Sequence, residues 1–172
     1  MCAFYASTIF EHPRLANVTF YLRLDTDSLI EGPICYDPFE YMHVRNRSYG
    51  YRAIGHDPPA VTQGMWAFVA DYAWNNPSVE RRLIENNWTW PKPFSSVDDM
   101  VKADREGVEE KKGWIDNSSF PGYQNNFEIV RLESFRRPKV KEWLDELMSV
   151  PERVYKWRWG EFSVVCPPPF HR

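Results

Sequence analysis

Between Val18 and Leu24 the sequence reads VTFYLRL, an alternating run rich in β-branched and aromatic residues, and it stops at two acids one residue apart, Asp25 and Asp27. In a strand, successive side chains leave opposite faces, so the run predicts a β-strand that delivers both acids to the loop at its C-terminal end. SYGYRAIG at Ser48 to Gly55 predicts a second strand, and FEIVRL at Phe127 to Leu132 a third. Helical spacing fills the intervals. Residues 2 to 11 predict a short helix that ends before His12-Pro13, because proline pushes the preceding residue out of the helical region. Asp37-Pro38 supplies an N-cap and a first-turn proline for a helix running to about Arg45. Met65, Trp66, Phe68, Val69, Tyr72 and Ala73 mark one face of a helix from Thr62 to about Trp74, closed by Pro77, and another follows over Ser78 to Asn86. Pro138 to Met148 predicts an amphipathic helix with Val140, Trp143, Leu144 and Leu147 inward. Strands alternating with helices indicate an α/β fold.

One core suits a chain of 172 residues with 43% hydrophobic and 26% charged residues. A formal net charge of -3 leaves no broad basic field for a phosphate backbone, which argues against a nucleic-acid partner. No run approaches the roughly 20 apolar residues of a membrane span, and the start, MCAFYASTIFEHP, lacks the basic region of a signal peptide. Four N-x-S/T sequons, at Asn17, Asn46, Asn87 and Asn117, are compatible with the secretory pathway. Cys2, Cys35 and Cys166 form neither a disulfide scaffold nor a CxxC spacing; one disulfide plus a free thiol and three free thiols are both open. Cys35, ahead of the Tyr36-Asp37-Pro38 turn, is expected to be buried. Residues 88 to 124 change in character, from WTWPKPFSS through the charge run VDDMVKADREGVEEKKG to the turn-rich NSSFPGYQ. Within them, about 91–117 reads as an inserted or mobile segment carrying one solvated helix, inside a single domain spanning 1–172.

Three constellations carry chemistry. Carboxylates at i and i+2 of a loop can reach one hard divalent cation that keeps sites open for phosphate oxygens, although an acidic turn is also an ordinary solvated feature. Glu128 sits inside an apolar run after two amides, Asn125 and Asn126. If Phe127 and Ile129 face the core, Glu128 faces solvent or a cleft. In a cleft, held by Asn125 or Asn126, it would stabilise an oxocarbenium ion or attack an anomeric carbon. YKWRWGE, residues 155 to 161, offers tryptophans that stack on sugars or anchor a core. His12, His43, His56 and His171 show no paired metal spacing.

MCAFYASTIFEHP, YLRLDTDSLI, CYDPFEYM, YGYRAIG, NNFEI followed by SFRR, and YKWRWGE, in this order, resemble the catalytic region of the fungal α-1,2-mannosyltransferases, glycosyltransferase family 15. The resemblance spans about residues 2 to 161 and is weakest around 91–117. It implies a GT-A-like nucleotide-diphospho-sugar transferase fold, a GDP-mannose donor, Mn2+, and retaining transfer to a mannose hydroxyl of an acceptor glycan in the Golgi lumen. The family's Glu-Pro-Asp falls on Asp25, Thr26 and Asp27, which implies metal ligation by both acids. Its catalytic glutamate falls on Glu128, either as nucleophile or in support of front-face departure and attack. Its Arg-Trp-Gly-Asp falls on Arg158, Trp159, Gly160 and Glu161, and Arg158, Trp159 and Glu161 with Tyr123 and Asn126 make up the expected substrate-binding set.

The family places a membrane anchor, a stem and a nucleotide-binding βαβ portion ahead of the motif that starts at Met1 here, and continues to a metal-ligating histidine that His171 does not match by position. The expectation is a GT-A-like fold truncated at both ends. The rival reading is a non-catalytic carbohydrate-binding remnant with Tyr123 and Trp159 as stacking walls. A third, a hydrolase pairing Asp25 or Asp27 with Glu128, requires carboxylates roughly 5 to 9 Å apart.

Overall fold

The computed structural model describes residues 2–106, 113, 115, 117–157 and 159. Three strands form one antiparallel sheet in the order β1-β3-β2: β1 is Phe20–Leu24, β2 is Tyr49–Asp57 and β3 is Phe120–Arg131. Around it lie α1 (Cys2–Ala6), α2 (Pro38–Val44), α3 (Met65–Asn75), α4 (Pro77–Glu85), α5 (Val97–Arg105), α6 (Leu132–Phe135), α7 (Pro138–Met148) and α8 (Pro151–Tyr155). Helices and strands interleave along the chain as the α/β reading expects. The sheet that results is antiparallel, so the acids after β1 do not stand at the crossover edge of a parallel sheet.

Local chemistry sets most boundaries. Asp37 caps α2, its Oδ1 accepting from the Phe39 and Glu40 amides at 2.8 and 3.2 Å, and Ser96 caps α5 through the Asp99 amide. Gly64, at φ +77, takes the left-handed conformation from which α3 starts. The first expected helix divides: α1 stops at Ala6 and a 3-10 turn, Thr8–Glu11, carries the chain to His12. Arg136 then fastens this segment, its Nε donating to the Phe10 carbonyl at 2.7 Å and its Nη2 to that of Leu15 at 2.9 Å.

β3 begins at Phe120, seven residues before the alternating run. Pro121 and Gly122 read as turn residues, yet they pair with His56 and Gly55 of β2. β1 pairs with β3 only from Phe127 onward, so Pro121 lies on a stretch with one free edge, the kind of position at which a sheet tolerates proline.

The core joins one face of the sheet to the helices. Trp66 of α3 meets Phe120 at 4.6 Å between ring centroids, Phe10 stacks on Phe135 at 4.6 Å, and Trp143 of α7 sits 4.9 Å from Phe68. Val140, Trp143, Leu144 and Leu147 face inward as the periodicity predicts. Helix α5 corrects the expectation of a merely solvated helix: Val97, Met100, Val101 and Ala103 are buried against the rest of the core while Asp98 and Lys102 face water. Cys35 is exposed, because the 25–37 segment runs over the surface with no apolar layer above it. None of the described helices is long and apolar enough to cross a membrane.

Candidate active site

In an antiparallel ladder, directly paired residues share a face. Arg23 of β1, Glu128 of β3 and Tyr51 of β2 therefore form one row across the sheet, and Tyr21, Val130 and Tyr49 form the next. Glu128 is central in the first row and only 2% exposed. A carboxylate this buried requires partners, and the diagonal neighbours supply them. Tyr21 donates its hydroxyl to Oε1 at 3.0 Å and Tyr49 to Oε2 at 2.6 Å. Arg23 Nη1 stands 3.9 Å from Oε1. Burial, and then the charge of Glu128, hold the Tyr49 phenol far above the ordinary tyrosine range, so it remains a donor.

Arg23 links this buried anion to the acidic loop. Its Nε and Nη2 donate to Asp25 Oδ1 at 3.1 and 3.0 Å, and its guanidinium lies 4.2 Å from the centre of the Tyr5 ring. The Asp25 amide donates to the Asn126 carbonyl, and Asn126 Nδ2 approaches Asp25 Oδ2 at 3.4 Å. Asn126 thus reaches the first acid, and the groups seen holding Glu128 are tyrosines. A turn closed by the Ser28 amide on the Asp25 carbonyl, at 2.9 Å, carries Asp27 outward. Asp27 is exposed and, among the described residues, makes no hydrogen bond or ion pair. It lines a surface cleft of about 490 Å3 together with Leu24, Ser28, Glu31, Arg52 and Asn126.

The two acids therefore differ in what they offer a cation. Asp25 is engaged by Arg23, whereas Asp27 is an open hard-oxygen donor. Among the described residues no three His, Cys, Asp or Glu side chains cluster to hold a metal. The donor set fits an ion held by one protein carboxylate and completed by phosphate oxygens, which is a common arrangement for Mg2+-like ions.

The two expected aromatic walls are mostly buried. Trp159 is 3% exposed, lies among Phe68 and Arg153, and donates Nε1–H to the Gln63 carbonyl at 3.1 Å. It packs as a core anchor at the lining of a cleft shared with Gln63, Gly64, Phe68 and Arg153. Tyr123 is also buried, stacked on Tyr51 at 4.0 Å, and Tyr51 is the exposed partner of that stack. Arg158 and Glu161, with His171 and Cys166, lie outside the described residues. Sequence reasoning missed Tyr21, Arg23, Tyr49 and Tyr51. The signal was present in YLRL and YGY, where polar-tipped residues recur at i and i+2 and so share a face.

The fold that carries this arrangement is a known one. The crystal structure of core-mannan synthase A (CmsA/Ktr4) from Aspergillus fumigatus, in its Mn/GDP form, superposes with a TM-score of 0.72 at 23% identity, over 96% of this chain and 41% of that one. The mannosyltransferase Ktr4p from Saccharomyces cerevisiae superposes with a TM-score of 0.72 at 21% identity, over 99% and 41%. The fold is that of these α/β glycosyltransferases.

The profile of the glycolipid 2-alpha-mannosyltransferase family, glycosyltransferase family 15, matches residues 1–166, and the chain belongs to that family. "Probable mannosyltransferase KTR3" of Saccharomyces cerevisiae is 28% identical over 95% of this chain and 35% of its own length. Glycolipid 2-alpha-mannosyltransferase 2 of Candida albicans is 26% identical over 95% and 31%. The chain spans about a third of the length of these relatives.

Proposed function

We propose that this chain forms the catalytic sheet of a retaining mannosyltransferase that moves mannose from GDP-mannose to a mannose hydroxyl of an acceptor glycan in the Golgi lumen. The carrying observation is Glu128, a buried carboxylate fixed by Tyr21 and Tyr49 and joined through Arg23 to the loop that presents Asp27. Four sequons agree with that compartment.

In the reaction, the bond from the anomeric carbon to the diphosphate oxygen breaks with its electron pair leaving on GDP. The acceptor oxygen bonds to the same carbon and passes its proton to the departing diphosphate. Positive charge develops on the sugar between these events. Glu128 opposes it from a site of low dielectric, already oriented and with no reorganisation needed at the moment of reaction. Both of its oxygens accept tyrosine hydroxyls, which favours this electrostatic role over direct attack. Asp25 keeps Arg23 beside Glu128, which offsets the cost of burying the anion. Asp27 would hold the divalent cation, which when bound supplies charge neutralisation to the diphosphate.

Calorimetric titration of the chain with GDP-mannose, with and without Mn2+, tests this. Mn2+-dependent binding that Asp27→Ala removes supports the proposal. Failure of the folded chain to bind the donor under either condition overturns it.

A further inference from the structure

We infer that Arg52 binds the donor diphosphate, in the same cleft as the acid that would hold the cation. The inference deepens the reading above and rests on it.

Between the pairs Tyr51↔Glu128 and Ala53↔Gln124 the ladder loses register. From 51 to 53, β2 advances by two residues, while from 128 to 124, β3 advances by four. Asn125, Asn126 and Phe127 therefore stand opposite Arg52 alone. Irregularities of this kind bend the strand and re-aim side chains, and they recur beside active sites. This one lies immediately next to Glu128 in the ladder. The same bulge supplies Asn126, which contacts Asp25, and Phe127, the ladder partner of Leu24 at the end of β1.

Arg52 is exposed and makes no hydrogen bond or ion pair among the described residues, whereas the arginines of the other two strands are engaged. Arg23 is held by Asp25, and Arg131 by Asn46 and the Met42 carbonyl. It is the one cation among the described residues lining the 490 Å3 cleft, whose acids are Asp27 and Glu31. A cleft offering two carboxylates and one open guanidinium is matched by a ligand that presents both signs at once. A metal diphosphate does so: its cation meets the carboxylates and its phosphate oxygens meet the planar donor fork of arginine. A simple anion would face the two acids, and a simple cation would face Arg52.

The test is titration of the chain with GDP in the presence of Mn2+, comparing wild type, Arg52→Lys and Arg52→Ala, with thermal melting of each. Arg52 is exposed, so all three should melt together. Arg52→Ala should bind Mn2+-GDP about tenfold or more weakly, the scale of one lost charge-assisted hydrogen bond, with Arg52→Lys between. Raising salt should weaken wild-type binding more than that of Arg52→Ala. If wild type binds and Arg52→Ala binds equally well, the role of Arg52 is overturned and the donor-site reading stands. If wild type binds no GDP, both are overturned.

Discussion

Tyr49 donates its hydroxyl to Glu128 Oε2 at 2.6 Å from the neighbouring strand of the sheet. The bond ties β2 to β3 at the one carboxylate that is buried among the described residues. It makes the site and the stability of the sheet parts of one interaction.

Tyr49→Phe removes the donor and leaves a buried carboxylate oxygen short of a partner, which should cost about 1–3 kcal/mol in denaturant unfolding. The wild type carries a pH signature as well. The folded-state phenol is held above the ordinary value of about 10, whereas the unfolded chain ionises there. Stability from this group is therefore complete below pH about 10 and is lost as pH rises further, because the folded state then binds the extra proton. The alkaline decline should be shallower in Tyr49→Phe, as read from urea midpoints at pH 8 and above 10.

Glu128→Gln keeps the side-chain volume but removes the charge. Transfer should fall by orders of magnitude while the circular dichroism spectrum stays native, since the electrostatic contribution resides in the anion. Glu128→Ala also takes the acceptor from two tyrosine hydroxyls and one of the two anions beside Arg23, and should destabilise by about 3–5 kcal/mol. A Glu128→Gln chain with full transfer activity would place the catalytic charge elsewhere.

Asp25 and Asp27 should separate experimentally. Asp25→Asn weakens the hold on Arg23 at a partly exposed site, a loss of roughly 1 kcal/mol in stability once solvent screening is counted. Asp27→Ala touches no internal partner and should leave the melting temperature unchanged while abolishing any Mn2+ dependence of nucleotide binding. Equal stability losses in the two variants would contradict this division.

Helix α5 and Trp159 should behave as core. Met100 is fully buried, and Met100→Ala should cost about 2–5 kcal/mol; Trp159→Ala should cost about 3–5 kcal/mol. Chemical denaturation measures both. A Met100→Ala chain as stable as wild type would return the 91–117 segment to the periphery.

Much of the molecule is already written in its amino-acid order. Alternation at Val18 to Leu24 and Ser48 to Gly55 marked two strands, Asp37-Pro38 fixed the start of a helix, and the spacing of Val140, Trp143, Leu144 and Leu147 named the buried face of another. These features depend on neighbours within a few residues, and the sequence displays such neighbours directly. The six ordered motifs likewise pointed to the family that the profile match establishes.

Tertiary structure decided the rest. Whether Glu128 met water or an enclosed face depended on β1 and β2 flanking β3 and on which of their residues came into register with it. The partners of Glu128, Tyr21 and Tyr49, are separated from it by 107 and 79 residues. The difference between Asp25 and Asp27 arose because Arg23 holds the one while the turn after it carries the other outward, and the bulge opposite Arg52 exists only as a mismatch between two strands. Periodicity reports the side of a strand on which a residue lies. What occupies that side is fixed by long-range pairing, which a single segment does not contain.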